Sequence, residues 1–412
     1  MTRFIKQKID DTPIADNVFA VVSLAKKAKA ELGNDKVIDA TIGALYDEEG
    51  ELVAFQSVYQ PYNRIKNNEK ATYAQSFSGN ADYRKQVYNW IKQDINLDLC
   101  HSVIATPGGS GAVSTTMSDI LDEGQSVVLP EIAWGSYKLM ATMNNLKAKT
   151  YSLFKDGRFH IESFREVCLS VMEEQGKLLV VVNDPCHNPT GYSLSKSEWE
   201  AVIEILNTCG EQGPVILLND IAYIDFSYDF KQSRAYLETF NQISDNVMIV
   251  VAFSSSKTLT AYGLRCGAAV ILAKSAANVR QVEIVMEKSA RAIWSNIPNA
   301  AMENFVYVTS EGLEPYMGEK DYFVSLLEQR SKIFTEEAAI VGLKHYPYKE
   351  GFFVTLEVCD ANFKDKFHKA CMEEQIYTVQ VNKGIRVALC SLNIEKTRGL
   401  AKKMKIIMDR IS

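Results

Sequence analysis

Between about residue 100 and residue 275 the chain repeats one unit, a short and almost wholly apolar run of β-type residues followed in most cases by a helical stretch. The runs read SVIAT, SVVLP, KLLVVVN, PVILLN, NVMIVVAF and GAAVILA. Strands that are apolar throughout, instead of at every second residue, are buried on both faces. Their alternation with helices predicts a mostly parallel sheet covered by helices on each side, an α/β fold. In such sheets ligands gather at the carboxyl ends of the strands, so residues at those ends are the first candidates for chemistry.

The flanking segments have a different texture. Val18, Val21, Val22, Ala25 and Leu32 fall at helical spacing and Gly33 follows as a stop, which predicts an amphipathic helix over 18–32. Beyond about residue 310 come a long charged helix near 319–342, the strand GFFVTLEV, a helix over 361–375, the strands YTVQV and IRVALCS, and a final helix. In that last helix Leu400, Met404, Ile407 and Ile411 share one face. A chain of 412 residues exceeds the ~100 to 200 residues of a single compact unit. The expected division is an N-terminal arm (1–15), a large α/β domain (51–310) and a smaller α+β domain built from 16–50 together with 311–412.

Charge and cysteine usage narrow the function classes. The net charge of -6 is spread along the chain without basic clusters, which argues against nucleic-acid or anionic-membrane partners. No apolar run approaches the length of a membrane span, and the first sixteen residues have no signal-like apolar core. The eight cysteines form no C-x-x-C pair and no metal-type spacing with the five histidines, so neither a metal site nor a disulfide framework is expected. A reducing, cytoplasmic setting and small-molecule chemistry are the natural expectations.

Polar groups cluster where the strands end. After NVMIVVAF come Ser254, Ser255, Ser256 and Lys257, with Arg265 eight residues on. A lysine at the edge of a buried sheet loses solvent and becomes a nucleophile toward an aldehyde, while an arginine and a serine hydroxyl suit a phosphate. A surface lysine and an ordinary ion pair are the plainer alternative. Thr106-Pro107-Gly108-Gly109-Ser110-Gly111-Ala112 follows a strand and opens a helix. Glycines there let backbone amides approach an anion, whose charge the helix terminus favours. The same residues could form a plain turn, and they do not spell the G-x-G-x-x-G of dinucleotide enzymes. KLLVVVN runs into Asp184-Pro185-Cys186-His187-Asn188, PVILLN into Asp220-Ile221-Ala222-Tyr223, and SVVLP into Glu131-Ile132-Ala133-Trp134. Capping turns and a core tryptophan are the structural alternatives for these.

In order and spacing, Trp134, Asn188-Pro189-Thr190-Gly191, Asp220-x-Ala222-Tyr223, Ser254-x-Ser256-Lys257 and Arg265 resemble the class I aminotransferases of fold type I, which use pyridoxal 5′-phosphate. The likeness is greatest to the aspartate and aromatic amino acid branch. Residues 42–50, Gly43 among them, resemble that branch's substrate-access segment, Tyr73 its cofactor-phosphate tyrosine, and Arg291 and Arg386 its two substrate-carboxylate arginines. The resemblance runs from about residue 15 to the end of the chain.

This resemblance implies a division of labour. Lys257 would form a Schiff base with pyridoxal phosphate and later act as a free base, with Asp220 paired to the ring nitrogen and Tyr223 and Asn188 bonded to the phenolic oxygen. Trp134 would stack on the ring, while Gly109, Ser110, Ser254 and Arg265 would hold the phosphate. Arg386 would clamp the substrate α-carboxylate, beside Gly43, Trp134 and Asn188 in the substrate site. Tyr73 and Arg291 would serve the neighbouring subunit of a homodimer with shared active sites, Arg291 meeting a side-chain carboxylate. Phe353 lines the pocket or belongs to the core.

The implied reaction moves an amino group from aspartate or an aromatic amino acid to 2-oxoglutarate. The alternative is another pyridoxal-phosphate enzyme on the same fold, a β-lyase, decarboxylase or cyclising synthase. Arg291 argues against it, since a dicarboxylate grip suits glutamate and 2-oxoglutarate. A ligand-sensing regulator would need an added DNA-binding module, and only about fifteen residues precede the first helix. A nicotinamide oxidoreductase would leave Lys257, Asp220 and Arg386 unexplained. One departure stands out: where the aspartate-specific subgroup commonly has histidines supporting the ring-nitrogen aspartate, this chain has Asn183 and Tyr137.

Overall fold

The computed structural model of the chain describes residues 4–5, 11–13 and 17–412, leaving aside the side chains of residues 17 and 18. Most of the expected arm, 1–15, and the side chain of Val18 therefore lie outside the described residues. Among the described residues, no helix is long and apolar enough to cross a membrane.

A seven-stranded sheet forms the centre. Its strands are β1 (Cys100–Pro107), β2 (Ser126–Pro130), β3 (Lys147–Tyr151), β4 (Leu178–Asn183), β5 (Val215–Asp220), β6 (Val247–Ser254) and β7 (Cys266–Ala273). They lie in the order β1-β7-β6-β5-β4-β2-β3. The pairs from β6 through β3 are all parallel, and β7 runs antiparallel to both β6 and β1. A parallel return needs a crossover of a dozen or more residues. Residues 255–265 give β7 too little chain for that, so it turns straight back. As a result its amino end, preceded by Arg265, lies at the same sheet edge as the carboxyl ends of the other six.

Residues of β4 to β7 are buried without exception. Leu178, Val180 and Val182 join one core, and Leu179 and Val181 join another. This is the two-sided burial that continuous apolar strands require. The cores rest on helices such as Ile161–Gln175 and Lys196–Gly210 on one face, and Gly108–Ile120 and Ala276–Ile293 on the other.

The flanking segments meet each other. The first helix spans Asn17–Leu32 and buries Val21, Val22, Ala25 and Ala28, whereas Leu32, expected on its apolar face, is exposed. Ile38 and Asp39 pair in parallel with Ile376 and Tyr377. A second sheet holds β8 (Phe353–Glu357), β9 (Val379–Val381) and β10 (Gly384–Ala388), all antiparallel in the order β8-β10-β9. The long helix spans Leu313–Val341, beginning ahead of its charged stretch, and ends on Gly342 in the left-handed conformation. The last helix, Leu400–Ile411, buries Leu400, Ala401, Met404 and Ile407.

Candidate active site

An anion cup forms where β1 ends. The helix Gly108–Ile120 starts directly after Pro107, with no side chain capping its first amides. Open amides at a helix start favour an anion. Gly108 has φ +71°, and a Cβ there would lie 2.5 Å from Arg265 Nη2. A Cβ on Gly109 would lie 3.1 Å from Ser254 Cβ, so the glycines let the turn pass close under both side chains. Ser110 follows in the same helical turn, half-buried. Arg265 is exposed and donates from Nη1 to Ser256 Oγ at 3.1 Å and from Nη2 to the Pro107 carbonyl at 3.2 Å. Its guanidinium is thus held over the amide cup by groups that a bound anion could displace or share.

Lys257 lies one turn beyond β6. Its Nζ donates to the Gly43 carbonyl at 2.7 Å and sits 4.6 Å from the centre of the Tyr262 ring. Loss of solvent lowers its pKa to about 8, with Cys390 opposing and Arg386 and Arg265 assisting. Gly43 is required by close approach, since a Cβ there would meet Phe353 Cζ at 2.8 Å.

Asp220 ends β5 and is buried. Its Oδ2 accepts from Tyr137 Oη at 2.6 Å and its Oδ1 from the Ala222 amide at 3.0 Å. Burial raises its pKa and both donors oppose the rise. Asn183 acts on the backbone instead: it donates to the Asp220 carbonyl at 2.8 Å and accepts from the Asn188 amide at 2.8 Å. It therefore ties the ends of neighbouring strands together without touching the carboxylate.

Asn188 Nδ2 donates to Tyr223 Oη at 3.2 Å, and Asn188 Oδ1 accepts from Arg386 Nη1 at 3.3 Å. Arg386, on β10, is buried and also donates from Nη2 to the Thr41 carbonyl at 2.7 Å. Its Nε has no partner among the described residues, and its guanidinium carbon lies 4.4 Å from the centre of the Phe353 ring. A buried cation with an unused donor is suited to a carboxylate ligand. Trp134 is half-buried, packs edge-on against Tyr137 with ring centres 5.4 Å apart, and accepts the Tyr137 amide on its carbonyl.

One edge of the sheet thus brings together Lys257, Asp220, Tyr223, Asn188, Arg265, Ser254, Gly109, Ser110 and Trp134, and Gly43 and Arg386 reach it from the flanking segments. Tyr73 and Arg291 are not part of this cluster. Tyr73 is 81% exposed, and Arg291 is exposed, donating to Ser295 and lying 4.8 Å over the Phe77 ring. Among the described residues no group of His, Cys, Asp or Glu could hold a metal ion.

Sequence reasoning missed several contributors. Ser256 is part of the motif beside Lys257 but carried no role of its own, and Tyr262 stands within the lysine-to-arginine segment and was open to notice from that position alone. Thr41 and Cys390 were not, because their contacts with the site cross most of the chain. The Cys390 thiol is pushed up to about 12, chiefly by burial, and its Sγ lies 3.6 Å from the Ile42 carbonyl.

This fold is that of the type I aminotransferase structures: an aminotransferase from Anaerococcus prevotii superposes with a TM-score of 0.95 at 31% identity, covering 98% of this chain and 99% of that one. An aromatic amino acid aminotransferase from Burkholderia cenocepacia shares the fold at a TM-score of 0.78 and 18% identity, covering 98% of this chain and 99% of that one. The chain belongs to the family described as aminotransferase class I and II, whose family model matches residues 35–404. The aspartate aminotransferase of Salmonella typhi is 26% identical over 268 residues, which cover 63% of this chain and 65% of that protein. The aromatic-amino-acid aminotransferase of Escherichia coli is 23% identical over 286 residues, 68% of this chain and 70% of that protein. The match thus spans somewhat less than two thirds of the length of the Salmonella enzyme.

Proposed function

We propose that the protein is a pyridoxal-phosphate-dependent aminotransferase that transfers an amino group from aspartate or an aromatic amino acid to 2-oxoglutarate, with the cofactor held covalently through Lys257 Nζ. The observation that carries this reading is the position of Lys257, whose amine has its pKa lowered to about 8, in a site that also holds an amide-and-arginine anion cup and a buried carboxylate. Those three features match the aldehyde, phosphate and ring nitrogen of one molecule. When bound, pyridoxal phosphate supplies an electron sink for the substrate's Cα.

The chain's own groups do the rest. Gly109, Ser110, Ser254, Ser256 and Arg265 hold the phosphate. Asp220 accepts from the ring nitrogen, and Asn188 and Tyr223 donate to the phenolic oxygen. Trp134 covers one face of the ring and excludes water from it. Arg386 receives the substrate α-carboxylate on its free Nε and on an Nη that turns from Asn188, next to Gly43. Lys257 Nζ, once released, takes the proton from the substrate's Cα.

The active form is a homodimer in which Tyr73 and Arg291 complete the partner's site, a role for which their exposure leaves them available. Residues 16–50 and 311–412 act as one small domain beside the large domain of 51–310, supported by the pairing of Ile38 and Asp39 with Ile376 and Tyr377. A cytoplasmic location is in keeping with eight unpaired cysteines.

A donor panel tests the reaction. With 2-oxoglutarate present, glutamate and the donor's oxo acid are expected in equal amounts. Release of ammonia, carbon dioxide or a cyclised product independent of 2-oxoglutarate would replace this reading with a β-lyase, decarboxylase or synthase.

A further inference from the structure

We infer that Tyr137 is a positioning residue for the cofactor: by donating its phenol hydrogen bond to Asp220 it makes that carboxylate a weaker base and so keeps the proton they share on the ring nitrogen. This rests on the reading of the site given under Proposed function. The geometry is specific. Tyr137 lies in the helix Ser136–Met143 after β2, and Asp220 ends β5, with β4 between those strands. The phenol reaches across to Asp220 Oδ2 at 2.6 Å, within the range of a charge-assisted O–H···O⁻ bond. Among the described residues it is the only side-chain donor to this carboxylate, because Asn183 spends both ends of its amide on backbone groups.

The chemistry of a phenol matters here. Burial, and next the charge of Asp220, push the Tyr137 phenol well above its ordinary pKa, so it stays neutral and stays a donor. It stabilises the carboxylate without adding a positive charge that would compete with a protonated ring. The other ionisable groups nearby are phenols, Tyr223 beside Asp220 and Tyr151 beside Tyr137, with Arg386 and Cys390 near Tyr223. Burial alone pushes Asp220 toward its acid form. In that form the O–H bond replaces the N–H bond with no net change of charge, and the ring loses its pull on electrons. Each donor to the carboxylate opposes this shift.

Tyr137→Phe removes the hydroxyl and keeps the ring that packs against Trp134. The holoenzyme is prepared with pyridoxal phosphate labelled with ¹⁵N in the ring, and the ring resonance and cofactor dissociation constant are measured. The wild-type resonance is expected at the pyridinium end. In Tyr137→Phe it should move toward neutral pyridine, and the dissociation constant should rise about tenfold or more, the effect of losing a hydrogen bond to a charged group. A merely structural role would lower the melting temperature and leave the resonance in place, which would overturn the inference. So would a neutral-pyridine resonance in the wild type, a result that needs no folded variant. If wild-type protein fails to bind the cofactor at Lys257, the functional reading itself fails. If it binds and the variant matches it in both measurements, only the role of Tyr137 is lost.

Discussion

Lys257 differs from a surface lysine in a property that can be titrated. Burial, helped by the charges of Arg386 and Arg265, favours its neutral amine and brings its pKa to about 8, whereas a free lysine titrates near 10.4. Only the neutral amine attacks an aldehyde. Below pH 8 the side chain is chiefly the ammonium that donates to Gly43, and the reactive fraction falls about tenfold per pH unit. The rate at which cofactor-free protein takes up pyridoxal phosphate, followed by stopped-flow absorbance, should therefore rise with pH and level off just above 8. A rate still climbing at pH 10 would mean that the lysine is not desolvated as described. The same burial logic applies to Arg386, whose pKa is lowered by loss of solvent; a guanidinium nonetheless keeps its charge in proteins, ready for a carboxylate.

At the scale of elements, the turn between β1 and the helix Gly108–Ile120 is the most exacting. An alanine at Gly108 meets both a positive φ and the Arg265 guanidinium. The left-handed backbone alone costs about 1–2 kcal/mol for a residue with a Cβ. Gly108→Ala should lower the melting temperature by a few degrees, and by displacing Arg265 it should weaken cofactor binding, measured by fluorescence titration, by about tenfold or more. Unchanged affinity would show that the cup does not hold the phosphate. Such glycines are legible in a sequence, as are six of the seven strands, because a strand buried on both faces must be apolar throughout. The seventh, Lys147–Tyr151, is a sheet edge carrying Lys147 and Lys149, where charge guards against further pairing and leaves no apolar run to read. Asp220 and Lys257 are visible as polar residues at strand ends. The donor on Asp220 is legible only through the resemblance, which sets Tyr137 where that branch has a histidine; by its own pattern Tyr137 reads as one more apolar helix residue until the fold brings it across β4. Thr41, which meets Arg386, and Cys390, which meets Ile42, are not legible, because both contacts form only through the packing of the two chain ends.

The whole molecule raises the question of where Tyr73 and Arg291 act. Among the described residues Tyr73 is largely exposed and Arg291 bonds to Ser295 and lies over Phe77, away from the clustered site residues, and a two-fold interface would return each cross-contact in both directions. Subunit exchange answers it. Lys257→Ala and Arg291→Ala homodimers should each be nearly inactive on aspartate. A mixed dimer has one site with both defects and one with neither, so about half the wild-type activity per heterodimer is expected to return. Verified heterodimers no more active than their parents would place Arg291 in its own chain's service or outside the site. All of this depends on a cofactor bonded to one lysine. The most direct test is to saturate the protein with pyridoxal phosphate, reduce it with borohydride, and map the modified peptide by mass spectrometry. One pyridoxyl-phosphate group per chain is expected, attached to Lys257; a label on another lysine, or none at all, would show that Lys257 does not hold the cofactor.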